Sequence, residues 1–158
     1  MSERRGDSNM LDLANFGFFL VSVGITFVAV PDVVKRLADF FTDFTMVELS
    51  PNFLLPAPAG FHPQLYYAFF VFSLAFGLLH IPLLAGRFYF NDRLRKKAST
   101  LGSIIFQLGA AYACNLLLAQ SVAWFGFIGL IIILGGVGLV VENLVVLVAT
   151  RHRSMPIP

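Results

Sequence analysis

Charge is scarce in this chain, and cysteine scarcer still. Asp, Glu, Lys and Arg together form 13% of its 158 residues, against 58% apolar ones. A soluble domain carries roughly twice that share of charge, so a water-exposed globule is excluded. The single cysteine, Cys114, excludes an intrachain disulfide and any thiolate cluster for a metal. It falls inside an apolar block, where it reads as a small buried apolar residue. No glycine-rich phosphate loop and no dinucleotide fingerprint occurs. A net charge of +2 is too small for a nucleic-acid surface, and the basic residues are explained by topology.

What is present is four apolar blocks, at approximately 11–30, 65–86, 99–119 and 122–149. A helix needs roughly 20 predominantly apolar residues to cross a bilayer, and each block meets or nearly meets that length. The expected fold is therefore an all-α integral membrane protein: a four-transmembrane-helix bundle forming one domain over 1–158. The first block follows Arg4 and Arg5, as a signal peptide would. It ends Val28-Ala29-Val30-Pro31-Asp32 without a small-x-small cleavage site, so it reads as a retained helix. The last two blocks need a turn between them. As one helix, residues 99–149 would run roughly 76 Å, and Ala119-Gln120-Ser121, just before Trp124, is the polar interruption.

Basic residues beside the spans report orientation. The connection 87–98 carries Arg87, Arg93, Arg95, Lys96 and Lys97. Arg4 and Arg5 lie at one terminus, Arg151 and Arg153 at the other, and the 120–121 turn carries no charge. Four spans with both termini cytoplasmic put these clusters, and the basic loop 87–98, on one side. Lys35 and Arg36 disagree, but they stand among Asp32, Asp39, Asp43 and Glu48.

The connection 32–64 then lies outside. In it Val33, Val34, Leu37, Phe40, Phe41, Phe44 and Val47 recur at helical spacing, with Lys35, Arg36, Asp39, Thr42 and Asp43 opposite. That pattern predicts an amphipathic helix, lying on the membrane surface or docking a partner. Beyond it, Pro51, Pro56, Pro58 and Pro63 forbid a continuous helix and predict an extended proline-rich strap. Phe53, Leu54 and Phe61 are apolar for a solvated loop. With Phe40, Phe41 and Phe44 they are candidate partner contacts. His62 reads as an interface residue, because no second histidine or cysteine stands near it in sequence.

Ionisable residues inside spans are functional-site candidates by default. Counting 1.5 Å per residue from the basic anchors, His80 lies roughly 10 Å above Arg87, Glu142 about 13 Å above Arg151 and Gln107 about 15 Å above Lys97. Three spans thus place a polar group at similar depth. Gly135 and Gly138 share the Glu142 stripe and Gly77 the His80 stripe, as small residues do where helices pack in membranes. Asn15, Ser22 and Thr26 mark a similar stripe on the first span.

Three readings of the His80–Gln107–Glu142 layer stand open: an interhelical hydrogen-bond clamp, a proton or cation relay, and a cofactor or metal site. The last lacks ligands, since the spans supply one histidine and one carboxylate; no metal or cofactor is expected. No motif supports catalysis. The expected function is a non-catalytic integral accessory or structural subunit of a larger membrane complex, with the lipid bilayer and other membrane subunits as partners. The alternative is a small homo-oligomeric ion channel or proton-coupled transporter using a Glu142/His80 relay. A membrane enzyme acting on lipid or quinone would need those same two groups.

Overall fold

The computed structural model describes residues 3–153, and the side chains of 10–151. The side chains of Arg4, Arg5 and Arg153, used above for topology, lie outside the described residues. Five helices and one hairpin follow in the order α1 (Glu3–Ala29), α2 (Val33–Thr42), β1 (Phe44–Ser50), β2 (Phe53–Pro58), α3 (Pro63–Tyr89), α4 (Leu94–Leu118) and α5 (Trp124–Arg153). The four long helices are apolar and long enough to cross a membrane, which makes the chain a multi-pass membrane protein.

The spans are longer than the apolar blocks alone. α3 continues through Arg87 to Tyr89, and α4 starts at Leu94, so the expected loop 87–98 shrinks to 90–93. Arg87, Lys96 and Lys97 are helical residues that extend the spans into the polar boundary. The turn closes on Asn91 in the left-handed region (φ 48°), and Gln120 (φ 54°) does the same between α4 and α5. Asparagine accepts that conformation readily. α3 runs through Pro82 without interruption.

The long helices pack in sequence order, α1 on α3, α3 on α4, and α4 on α5. The expected helical bundle is thus an open row, in which α1 and α5 share no extensive packed face. Small residues explain why α4 sits inside it. Ala98, Gly102, Ala110, Ala111, Ala113 and Cys114 are all buried and let neighbours approach from two sides. A Cβ on Gly102 would stand 2.8 Å from the Gly138 carbonyl oxygen, so these two backbones touch. A Cβ on Gly77 would stand 2.8 Å from Leu108 Cδ2. Gly135 packs more loosely, its nearest neighbour being Phe106 Cε2 at 3.9 Å from such a Cβ. On α1, Ser22 is fully buried and Thr26 nearly so; their hydroxyls donate to Phe18 O and Ser22 O, which satisfies them without water.

The outer connection differs most from expectation. The amphipathic helix stops at Thr42, and Phe44–Ser50 pairs antiparallel with Phe53–Pro58. The fold is therefore helical with one small two-stranded sheet, and the proline strap is a strand. Pro51-Asn52 makes the reversal, with Asn52 at φ 70°: Pro presets the first turn residue and Asn tolerates the left-handed second. Two strands suffice for Pro56 and Pro58, because both strands are edges and neither needs every N–H.

Phe40 and Phe44 turn inward, which corrects their reading as partner contacts. Phe40 is only 6% exposed, with ring centroids 5.0 Å from Phe44, 5.7 Å from Trp124 and 6.4 Å from Tyr66. With Leu65 and Leu117 it forms a core at this end of α3, α4 and α5. Burying such a ring contributes about 1.5–3 kcal/mol. Phe41, Phe53, Leu54 and Phe61 remain exposed. His62 is tied inside the chain: its Nε2–H donates to Asp43 Oδ2 at 2.8 Å, and the Gly60 N–H donates to the same oxygen at 2.7 Å. These two donors, His62 foremost, hold the Asp43 carboxyl below its usual range.

Candidate functional site

Arg87 ends α3 as a buried cation, 5% exposed. Its Nη2 donates to Asp12 Oδ1 on α1 at 3.0 Å and its Nη1 to Asp92 Oδ2 at 3.2 Å. Lys96, at the start of α4, donates to the other Asp12 oxygen at 2.6 Å. Three helices and the 90–93 turn are thus joined by alternating charges. The arrangement also fixes which helix ends lie together: the N-terminal end of α1, the C-terminal end of α3 and the N-terminal end of α4.

Above this network lies a cavity of about 130 Å³, lined by Asp12, Asn15, His80, Arg87, Lys96, Ser99, Thr100 and Ser103. His80 stands two helical turns deeper than Arg87 and is 4% exposed. Its Nδ1–H donates to the Phe76 carbonyl at 2.7 Å, and its ring meets the Phe76 ring at 4.2 Å between centroids. Nε2 is the ring nitrogen left for other partners. Among the described residues, two buried atoms of the lining have no hydrogen-bond partner, the Arg87 Nε–H donor and the Asn15 Oδ1 acceptor.

A second, wider groove of about 340 Å³ runs between α3, α4 and α5. Phe76, Ser99, Gly102, Ser103, Phe106, Gln107, Gly135, Gly138, Leu139 and Glu142 line it. The expected layer is therefore divided. Gln107 and Glu142 share the groove, whereas His80 faces the first cavity, and no His80–Glu142 contact forms. The reason is register: Phe76, one turn before His80, occupies the groove wall on α3. Ser99 and Ser103 line both spaces and are the hydroxyl boundary between them.

Sequence reasoning passed over Asp12, Asp92 and the structural part of Arg87, which it read as a topology signal alone. A readable sign was there. Asp12 begins the first span and Arg87 ends the second, opposite charges at matched depth on antiparallel neighbours. Among the described residues, no three His, Cys, Asp or Glu side chains converge as a metal site would require. Comparison with protein-family models, with curated proteins and with solved structures gives no match. The functional reading rests on the geometry.

Proposed function

We propose that this chain is a non-catalytic integral subunit of a larger membrane assembly. The observation that carries the reading is the open end of the helix row. α5 packs on α4, its opposite face carries exposed Ile132, Ile133, Val140, Leu144 and Leu147, and Glu142 borders the groove beside it. Among the described residues no hydrogen bond or ion pair holds the Glu142 carboxyl. A carboxyl at membrane depth is costly beside lipid and is normally matched by another polar group, which a neighbouring subunit's helix supplies here. Exposed Phe41, Phe53, Leu54 and Phe61 give the outer connection a second apolar contact area.

In this reading the Arg87–Lys96 end faces the cytoplasm, because the basic residues gather there. Both termini are then cytoplasmic. The test is native mass analysis of gently solubilised source membranes with this chain tracked. Migration with a stable larger assembly is expected; migration solely as a monomer or homo-oligomer would overturn the reading.

A second reading, a small homo-oligomeric channel or proton-coupled transporter, draws on the shared Ser99/Ser103 wall between the His80 cavity and the Glu142 groove. Its test is ion or proton flux in liposomes containing the purified chain. Flux that Glu142→Gln abolishes supports it, and no flux under any gradient removes it.

A further inference from the structure

The His80–Arg87 cavity carries more than an interhelical contact requires. Every element around it contributes polar atoms: Asp12 and Asn15 from α1, His80 and Arg87 from α3, Lys96, Ser99, Thr100 and Ser103 from α4. The Thr100 hydroxyl is used by Lys96 O. The Arg87 Nε–H and the Asn15 Oδ1 are unpartnered, one a donor and one an acceptor, on side chains from facing helices. Leaving a buried donor or acceptor unmet costs about 1–3 kcal/mol each, and a polar space of sufficient size is normally met by water. A water needs about 10–15 Å³ of such space, so about 130 Å³ holds several. Anions are disfavoured as occupants, because Arg87 is already matched by Asp12 and Asp92 and Lys96 by Asp12.

We propose that this cavity is a hydrated chamber, open at the Asp12–Lys96 end, that brings water and protons to Ser103 and onward to Glu142. The mouth is open and charged: the Asp12 side chain is 48% exposed and that of Lys96 29%. The inner wall is Ser99 and Ser103, whose hydroxyls each donate and accept, and their far side borders the groove of Gln107 and Glu142. A proton taken from water at the mouth passes by exchange of O–H bonds along waters and hydroxyls. It ends on the Glu142 carboxylate, which becomes neutral; the reverse path releases it. No oxidant, reductant or heavy-atom bond change is involved. His80 borders the same water with Nε2, since its Nδ1–H is held by Phe76 O. The inference rests on the second reading, whose Glu142 site it supplies with a path, and is independent of the subunit reading, because a partner helix over the groove's lipid side leaves the chamber and its mouth unchanged.

Single-cysteine accessibility in the native membrane tests it. The lone Cys114 is removed as Cys114→Ala, and Ser103→Cys, Glu142→Cys and the control Leu144→Cys, on the apolar outer face of α5, are made separately. Each is exposed to a small cationic methanethiosulfonate, and to Ag⁺ as a water-sized probe, from either side of sealed vesicles. Only hydrated thiols ionise and react quickly, so Ser103→Cys is expected to label at least about tenfold faster than Leu144→Cys. Labelling should come from the Lys96 side, with Glu142→Cys slower but from that same side. Ser103→Cys labelling no faster than Leu144→Cys, or labelling from the opposite side, would overturn the proposal. Ser99→Cys gives the same ordering should Ser103→Cys fail to accumulate. Neither readout depends on whether the chain migrates in a larger assembly.

Discussion

The guanidinium of Arg87 donates to the carboxylate of Asp12 across 3.0 Å, joining positions 75 residues apart. Lys96 reaches the second oxygen of the same carboxylate at 2.6 Å. One acid in the N-terminal half of α1 therefore holds the end of α3 and the start of α4, at the mouth of the polar cavity. The two halves of this network are not equivalent, since Asp92 is 4% exposed at its side chain and Asp12 is 48%.

Removing Arg87 strands the buried Asp92 carboxylate. Arg87→Met should destabilise the chain by about 3–5 kcal/mol, as breaking a buried pair does. Adding Asp92→Asn should recover a good part of the loss. Asp12→Asn should cost about 1 kcal/mol or less, because its site is half solvated. Denaturant unfolding in a mild detergent, followed by circular dichroism, measures all three.

The contact of Gly102 with Gly138 sets how closely α5 approaches α4. Gly102→Ala puts its methyl 2.8 Å from the Gly138 oxygen. The backbones must separate, at about 1–3 kcal/mol. Gly136→Ala is the control, for nothing stands within 4 Å of its added carbon. The same unfolding assay should separate the two variants clearly.

Acid should loosen the outer hairpin. Folding lowers the Asp43 pKa, so its contribution is full above the unfolded value and is lost as pH falls through the folded one. Lowering the pH from 6 towards 3 should therefore reduce hairpin stability, and Asp43→Asn should flatten that dependence. Trp124 packs on Phe40 and Phe44, so its fluorescence reports the change. A pH response unaltered by Asp43→Asn would remove Asp43 as the cause.

Glu142→Gln should leave the four helices folded and weaken the proposed assembly. Polar contacts between membrane helices are worth about 1–2 kcal/mol at the upper end, so association should fall roughly 5- to 30-fold. Co-purification with partners across a detergent series checks this. Full retention of partners by Glu142→Gln would remove that carboxyl from the interface.

The spans were legible because hydrocarbon imposes a length and a composition that few sequences meet by accident. The helical stripe from Val33 misled at its end. Phe44 and Val47 continue a 3.6-residue period, yet both belong to a strand, where alternation places Phe44 inward on Phe40. The informative signal was Pro51-Asn52, a turn pair that only a reversal uses well. Gln107 and Glu142, matched in depth, line one groove, but the depth count also joined His80 to them. Depth counts residues along an axis and carries no rotation, so it could not show that Phe76 separates the two. Arg87 was hidden by its own usefulness as an orientation marker.

Phe40 has a mechanical consequence. Its ring wedges against Tyr66 of α3 and Trp124 of α5, with Leu117 of α4 in the same core. Three staves are thereby joined at one rim by rings, while at the opposite rim Asp12 ties α1 to the ends of α3 and α4, which the 90–93 turn already links. The row of staves is hooped at its two rims by opposite chemistries, packed rings at one and paired charges at the other.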